Sequence, residues 1–268
     1  MNNCNSRNSV AFFMKKLISA FLLVCLFAGN AFAWGANGHR VVGLVAQQHL
    51  KRKARKKIEK ILQGNSLAEV ATWMDDIKSD STYNHTHDWH WVTILDGQKY
   101  EQTTKNPNGD VLAKIEEITA ALKDKNATEK QKQENLKYLV HLVGDLHQPL
   151  HVGGGDDQGG NKVKVDWFGK SSNLHRVWDS DMIDNANLSF MELAYFLGKP
   201  GKAQIKQWQS TSVHDWAYES MTYRPQVYKL PADKKLGYKY SYENFDTVEN
   251  RLLQAGIRLA GLLNAIYG

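Results

Sequence analysis

The sequence predicts a mainly α-helical single domain carrying a few short β-strands, and three observations carry that expectation. Apolar residues recur at helical spacing over several long stretches. The candidate strands, residues 89–95 (WHWVTIL) and 161–168, are few and short. No glycine-rich nucleotide loop follows a strand, no internal repeat is visible and no linker divides the chain. Hydrophobic residues at 42% and charged residues at 23% give a globular composition, able to bury a core without disulfide staples.

Taken in order, the chain first presents a leader. From Met14 it reads MKKLISAFLLVCLFAGNAFA, with Lys15 and Lys16, an apolar run over 17–28, and the small-x-small site Ala31-Phe32-Ala33. That pattern predicts a secretory signal peptide over residues 1–33, with Met14 as a second candidate start. The run is too short to span a membrane. Its removal takes Arg7, Lys15 and Lys16 but no acid, so the formal charge falls from +6 to +3. Both cysteines, Cys4 and Cys25, leave with it. The domain at 34–268 therefore cannot use thiol catalysis, iron–sulfur clusters or cysteine zinc fingers, and any metal must be held by His, Asp, Glu or backbone groups.

Helix spacing then runs over 40–62, where Val41, Leu44, Val45, Ile58, Ile61 and Leu62 recur. Inside it, residues 51–57 (KRKARKK) hold six cations in seven, either a solvated helix face or a surface that attracts polyanions. A second helix is expected over 67–77, then the strand at 89–95 and a loop at 96–110 containing Asn106-Pro107-Asn108-Gly109. Helices follow at 111–122 and 129–148, the latter stopped by Pro149. A loop at 153–160 (GGGDDQGG) precedes the strand at 161–168, and helical spacing returns at 174–182, 190–197 and 242–266.

All ten histidines fall after residue 33, and their spacing has a pattern. His141 and Asp145 stand four apart on one helical face, His151 follows just past Pro149, and His175 and Asp179 repeat the pairing. Asp75, His90 and His39 lie upstream. One such pair is ordinarily a structural hydrogen bond; two pairs with further His and Asp and no Cys favour a metal cluster. Imidazole with carboxylate suits zinc, whereas calcium takes oxygen ligands. Several zinc ions can clamp the oxygens of a phosphoryl displacement and bring bound water to a pKa of about 7. The residues alone suggest an exported multi-zinc hydrolase without choosing its ester.

Five segments in order then resemble the S1/P1 zinc-dependent nuclease family. They are Trp34-Gly-Ala-Asn-Gly-His39; Ala71-Thr-Trp-Met-Asp75; Val140-His-Leu-Val-Gly-Asp-Leu-His-Gln-Pro-Leu-His151; Gly159-Gly-Asn-Lys-Val-Lys-Val165; and Asn173-Leu-His-Arg-Val-Trp-Asp179. The resemblance implies the largely helical phospholipase C/P1 nuclease-like fold and three zinc ions per chain. It assigns Asp75, His90, His141 and Asp145 to one zinc, and His151, His175 and Asp179 to a second. The third would take His39, a bridging oxygen of Asp145, and the α-amine and carbonyl of Trp34, so leader removal would complete the site. It gives Asp145 and Lys78 catalytic roles and makes Trp91, Lys78, Thr93 and Asn173 substrate contacts, with Trp91 at the base-stacking position.

The implied reaction is cleavage of single-stranded DNA or RNA to 5′-phosphorylated products by zinc-activated hydroxide, together with 3′-nucleotidase action on 3′-nucleotides. Export to the periplasm or medium, no stable membrane association after leader removal and no protein partner complete the expectation. Two positions depart from the family pattern. Lys78 stands where an Arg is common, keeping the charge but losing the bidentate fork. Thr93 stands where some members have an Asp, and it cannot act as a carboxylate base. His147 is expected to be structural or to support a ligand from behind; His85 and His87 sit in a polar segment and are expected only to line the entrance; His49 and His214 are ordinary surface or core residues. Asp76 is the alternative register for Asp75. The competing readings are a zinc-dependent phospholipase C, which places a Glu where Asp179 stands, and a non-catalytic zinc- or nucleic-acid-binding protein.

Overall fold

Where apolar residues recur every three or four positions, the chain forms its long helices: α1 (Ala36–Gln48), α2 (Arg52–Ile61), α3 (Val111–Ala121), α4 (Glu129–His147), α5 (Phe190–Phe196), α6 (Lys202–Gln209), α7 (Val213–Thr222) and α8 (Tyr238–Tyr267). The structure is a computed structural model and describes residues 34–268; the expected leader lies outside the described residues. Local chemistry sets the ends. Asp110 accepts hydrogen bonds from the amides of Leu112 and Ala113 to start α3. Thr128 and Gln131 cap each other's backbone amides to start α4. Pro149 follows its last turn, as expected.

The core is built on α8, buried on every side from Arg251 to Ala260, with α1 and α4 packed against it. Val41, Val42 and Val45 of α1 meet Leu139, Leu142, Val143 and Leu146 of α4 and Leu252, Ile257 and Leu259 of α8 in one apolar cluster. The remaining helices and turns cover this centre. Five short strands are present among the described residues: β1 (Val92–Thr93), β2 (Val152–Gly153), β3 (Lys164–Trp167), β4 (Lys170–Asn173) and β5 (Lys235–Leu236). β1 pairs parallel with β2, while β3 pairs antiparallel with β4 and parallel with β5. The mainly helical fold expected from the sequence is the fold observed.

Several boundaries differ from expectation, each for a local reason. The helix expected over 40–62 is two helices, because Lys51 is extended at ψ 149°. The Asn264 side chain bridges that break, accepting from the Lys51 amide and donating to the His49 carbonyl. The helix expected over 67–77 breaks between Leu67–Val70 and Trp73–Asp76, where the Ala71 carbonyl accepts from the His141 ring instead of continuing a helical ladder. Of the strand expected over 89–95, only Val92–Thr93 pairs; the preceding Ser81–His90 winds as 3₁₀ turns. The helical stretch at 174–182 contains a π-turn, Val177–Asp181. Helices α6 and α7 were not expected: α6 buries no residue and its signal is weak, whereas α7 does carry Val213, Trp216, Ala217 and Met221 at helical spacing.

Candidate metal centre

The site is assembled where α4 ends. His141 and Asp145 stand one turn apart on α4, and both side chains are fully buried. His39 from α1 stacks on His141, ring centroids 3.7 Å apart, and its Nε2 lies 3.3 Å from Asp145 Oδ1. This approach depends on Gly144: a Cβ there would sit 2.9 Å from His39 Nδ1. His90, the last residue of the 3₁₀ segment, brings its Nδ1 to 2.9 Å from Asp145 Oδ2. Asp75, at the end of the short Trp73–Asp76 helix, places Oδ1 3.8 Å from His141 Nε2. A second cluster lies beside the first. His151 Nε2 is 3.6 Å from Asp179 Oδ1, and His175 Nε2 is 3.0 Å from Asp179 Oδ2.

The donor atoms thus fall into three groups: His39, His141 and Asp145; Asp75, His90 and His141; His151, His175 and Asp179. Within each group one donor atom per residue lies within 4.8 Å of the others. His141 is shared between the first two groups, and Asp145 touches donors of both. Every predicted His and Asp ligand is brought into these clusters. Asp76 is outside them and accepts from the Thr72 hydroxyl at 3.2 Å. Trp34 is fully buried beside them: its ring lies against the Gly144 position, and Gly35 donates to the Asp179 carbonyl at 2.7 Å.

A test of fit for a metal lies in the hydrogen bonds. His141, His151 and His175 each donate Nδ1–H to a carbonyl, of Ala71, His90 and Gly159, at 2.7–2.8 Å. Those bonds fix the Nδ1–H tautomer and leave the Nε2 lone pair pointing at a carboxylate. Gly159 can present its carbonyl because it adopts φ +58°, a left-handed backbone that disfavours a side chain. Both ring nitrogens of His39, Nε2 of His90 and His151, and Oδ1 of Asp145 are buried and accept or donate no hydrogen bond among the described residues. Buried polar atoms without hydrogen bonds cost free energy, and converging lone pairs from imidazole and carboxylate are what a dication satisfies.

The electrostatics agree. Burial, and next the neighbouring His141, hold His39 and His90 well below the usual imidazole range. Burial likewise takes His141 down to about 4, against the raising effect of Asp75. All three are therefore neutral donors at physiological pH. Burial and the charge of Asp75 push Asp145 well up, a tension that a bound dication relieves. Burial also works to raise Asp179, but His175 and His151 outweigh it and hold it at about 2.

The chain's 34–268 region matches the family described as S1/P1 Nuclease over its whole length. The chain belongs to the S1/P1 nuclease family. Among known proteins it is 31% identical to Endonuclease 5 of Arabidopsis thaliana over 94% of this chain and 96% of that protein. It is 28% identical to Endonuclease 2 of the same plant, again over 94% and 96%. With Nuclease P1 of Penicillium citrinum it shares 26% identity, over 88% of this chain and 98% of that one. As a member of this family the protein is a hydrolase acting on ester bonds, and its donor clusters are candidate metal sites.

The other predicted residues sit around the clusters. Trp91 follows the buried His90 and is 43% exposed, so it is not a core tryptophan. Lys78 Nζ lies 2.6 Å from Asp75 Oδ1, at the edge of the first cluster. Thr93 is exposed on β1. Asn173 Oδ1 accepts from the Arg176 amide and so caps the turn carrying His175. His147 is structural: it donates Nδ1–H to the Val143 carbonyl, and its Nε2 accepts from Arg258 at 3.0 Å. His85 is exposed at the edge of Trp89, His49 bonds the Val45 carbonyl, and His214 lies between Glu101 and Glu116.

Sequence reasoning missed two supporting residues. Gln148 is fully buried and donates to Asp179 Oδ1 at 2.5 Å, helping to hold that carboxylate. Arg224 donates to the carbonyls of Ile94, Val152 and Gly153 and to Asp96, clamping the β1–β2 pair between His90 and His151. A polar residue inside the buried run at 146–152 was the available signal for Gln148. Arg224 had none, since its partners are backbone groups remote in sequence.

Proposed function

We propose that the protein is an exported, zinc-dependent phosphodiesterase that prefers single-stranded DNA or RNA, leaves 5′-phosphorylated products and also removes phosphate from 3′-nucleotides. The observation that carries this reading is the convergence of donors from eight His and Asp residues on the end of α4, beside the buried Trp34, in a chain of the S1/P1 nuclease family. The donor set, neutral imidazoles with carboxylates and no sulfur, suits zinc. The first zinc would be held by Asp75, His90, His141 and Asp145, the second by His151, His175 and Asp179, and the third by His39, Asp145 and the freed terminus of Trp34. Bound there, zinc supplies Lewis-acid stabilisation of phosphoryl oxygens and lowers the pKa of water.

The chain's own residues then divide the remaining work. The exposed face of Trp91 stacks an unpaired base, which a duplex cannot offer without unstacking. Lys78 contributes an ammonium beside the first cluster, able to contact a phosphate oxygen as a point charge. Asp145 lies between two donor groups and orients them together. Thr93 and Asn173 line the approach as hydrogen-bonding groups. Gln148 and the three carbonyls of Ala71, His90 and Gly159 keep the donors in one geometry, so little reorganisation accompanies reaction.

The test is to assay the protein beginning at Trp34 on single-stranded DNA, RNA, 3′-AMP and phosphatidylcholine, with and without chelator. Cleavage of the nucleic acids and 3′-AMP, lost on chelation and restored by zinc, is expected. Cleavage of lipid without nucleotide cleavage would establish a phospholipase instead, and bound metal without turnover a binding protein.

A further inference from the structure

Helix α2 carries a charge that the metal centre does not use. Residues 51–60 hold seven cations and one acid, whereas residues 34–268 as a whole are only +3, so the rest of the domain is net negative. The helix is seated on the core by the buried Ala54 and Ile58 and the half-buried Ile61, and the cations are all exposed. At about 100° per residue, Arg52, Lys56, Lys60, Lys53 and Lys57 fall in one arc of about 140°, opposite that seat. Lys53 reaches the Gly268 carbonyl. Arg52, Lys56, Lys57 and Lys60 make no hydrogen bond or ion pair among the described residues.

The helix is tied to the helix that carries the site. Asn264 pins the start of α2 and Gln133 of α4 donates to the Ile61 carbonyl at its end. From Gln133 the same stripe of α4 continues through Lys137, whose ammonium lies 4.6 Å from the Trp73 ring, to the ligand His141. That stripe is eight residues, about 12 Å along the axis. A mononucleotide cannot span it, whereas a polymer can.

Building on the nuclease reading above, we propose that the α2 face formed by Arg52, Lys53, Lys56, Lys57 and Lys60 docks the phosphate backbone of a long single-stranded nucleic acid whose scissile bond lies at the metal centre. A row of uncompensated cations on a preformed helix is what a polyphosphate chain recognises, through release of its counterions. The face carries no exposed large apolar residue, which a helix lying in a bilayer surface requires.

The experiment compares the zinc-loaded protein with a variant in which these five residues are Gln, a good helix former. Cleavage of a single strand of about forty nucleotides and of a dinucleotide is followed between about 50 and 200 mM salt. The dinucleotide kcat/KM stays unchanged, while that for the long strand drops about tenfold at low salt and its log–log salt slope falls by about 3.5. An unaltered slope in a folded variant overturns the proposal. If the fivefold variant does not fold, Lys56→Gln with Lys60→Gln reads a slope change of about 1.4. If neither substrate is cleaved, the nuclease reading fails, and anisotropy of a labelled strand still decides whether the α2 cations carry binding. Tighter α2-dependent binding to phosphatidylglycerol vesicles than to the strand also overturns it, in favour of a lipid surface.

Discussion

At the scale of single residues, position relative to the donor clusters separates substrate contacts from ligand supports. Trp91 is exposed beside the buried His90, so Trp91→Ala should weaken binding of nucleotide substrates without changing metal content. A stacking contribution of ~1–3 kcal/mol corresponds to roughly a 5- to 150-fold rise in KM. An unchanged KM with normal metal content would remove the tryptophan from the substrate path. Gly144→Ala makes the opposite prediction. Its new Cβ would press on His39, so metal analysis should show one ion fewer, while far-ultraviolet circular dichroism stays native. Lys78→Arg, which restores the planar fork common in the family, should raise kcat with little effect on metal content.

At the scale of elements, α4 does two jobs with two halves. Its first turns are a solvated surface started by the Thr128–Gln131 capping box, and its last turns hold His141, Asp145 and the structural His147. Thr128→Ala should therefore cost about 1 kcal/mol of stability, read as a lower denaturation midpoint, and leave turnover per folded molecule unchanged. The same helix shows what the sequence made legible. Its length, its stop at Pro149 and its His/Asp pair were all local signals. The breaks at Leu50–Lys51 and Ala71–Thr72 were not, because each is stabilised by a partner distant in sequence, Asn264 in one case and His141 in the other. The buried charges on α8 were equally hidden: Arg251 and Arg258 sit in an apolar run and are balanced by Glu219 of α7, with Arg251 also donating to the His147 carbonyl. Helix spacing alone reads such arginines as exposed.

At the scale of the whole molecule, a metal held by these buried donors would link its binding to folding. His39, His90, His141 and His147 are held neutral in the folded chain, chiefly by burial, with folded pKa values below the unfolded value of about 6.5. Below that pH the unfolded chain binds protons that the folded chain refuses, so stability falls as pH drops. For His141 the loss continues to about 4. Chelated protein should thus lose thermal stability steadily from neutral pH toward pH 4, and added zinc should raise the transition temperature at every pH where the imidazoles stay neutral. A flat profile for the chelated protein would mean that these rings are not buried and neutral. Much of the centre was readable because its ligands come in local pairs; its supports, Gln148, Arg224 and three carbonyls, were not, because a carbonyl carries no sequence signal. The central claim is that the donor clusters form one three-zinc centre completed by the amine of Trp34. Zinc content measured alongside cleavage of single-stranded DNA tests it most directly, on protein beginning at Trp34 and on protein retaining the residues before it. Three zinc ions and full cleavage are expected for the first, and two zinc ions with most activity lost for the second; three zinc ions and full cleavage in both would rule out the Trp34 amine as a ligand.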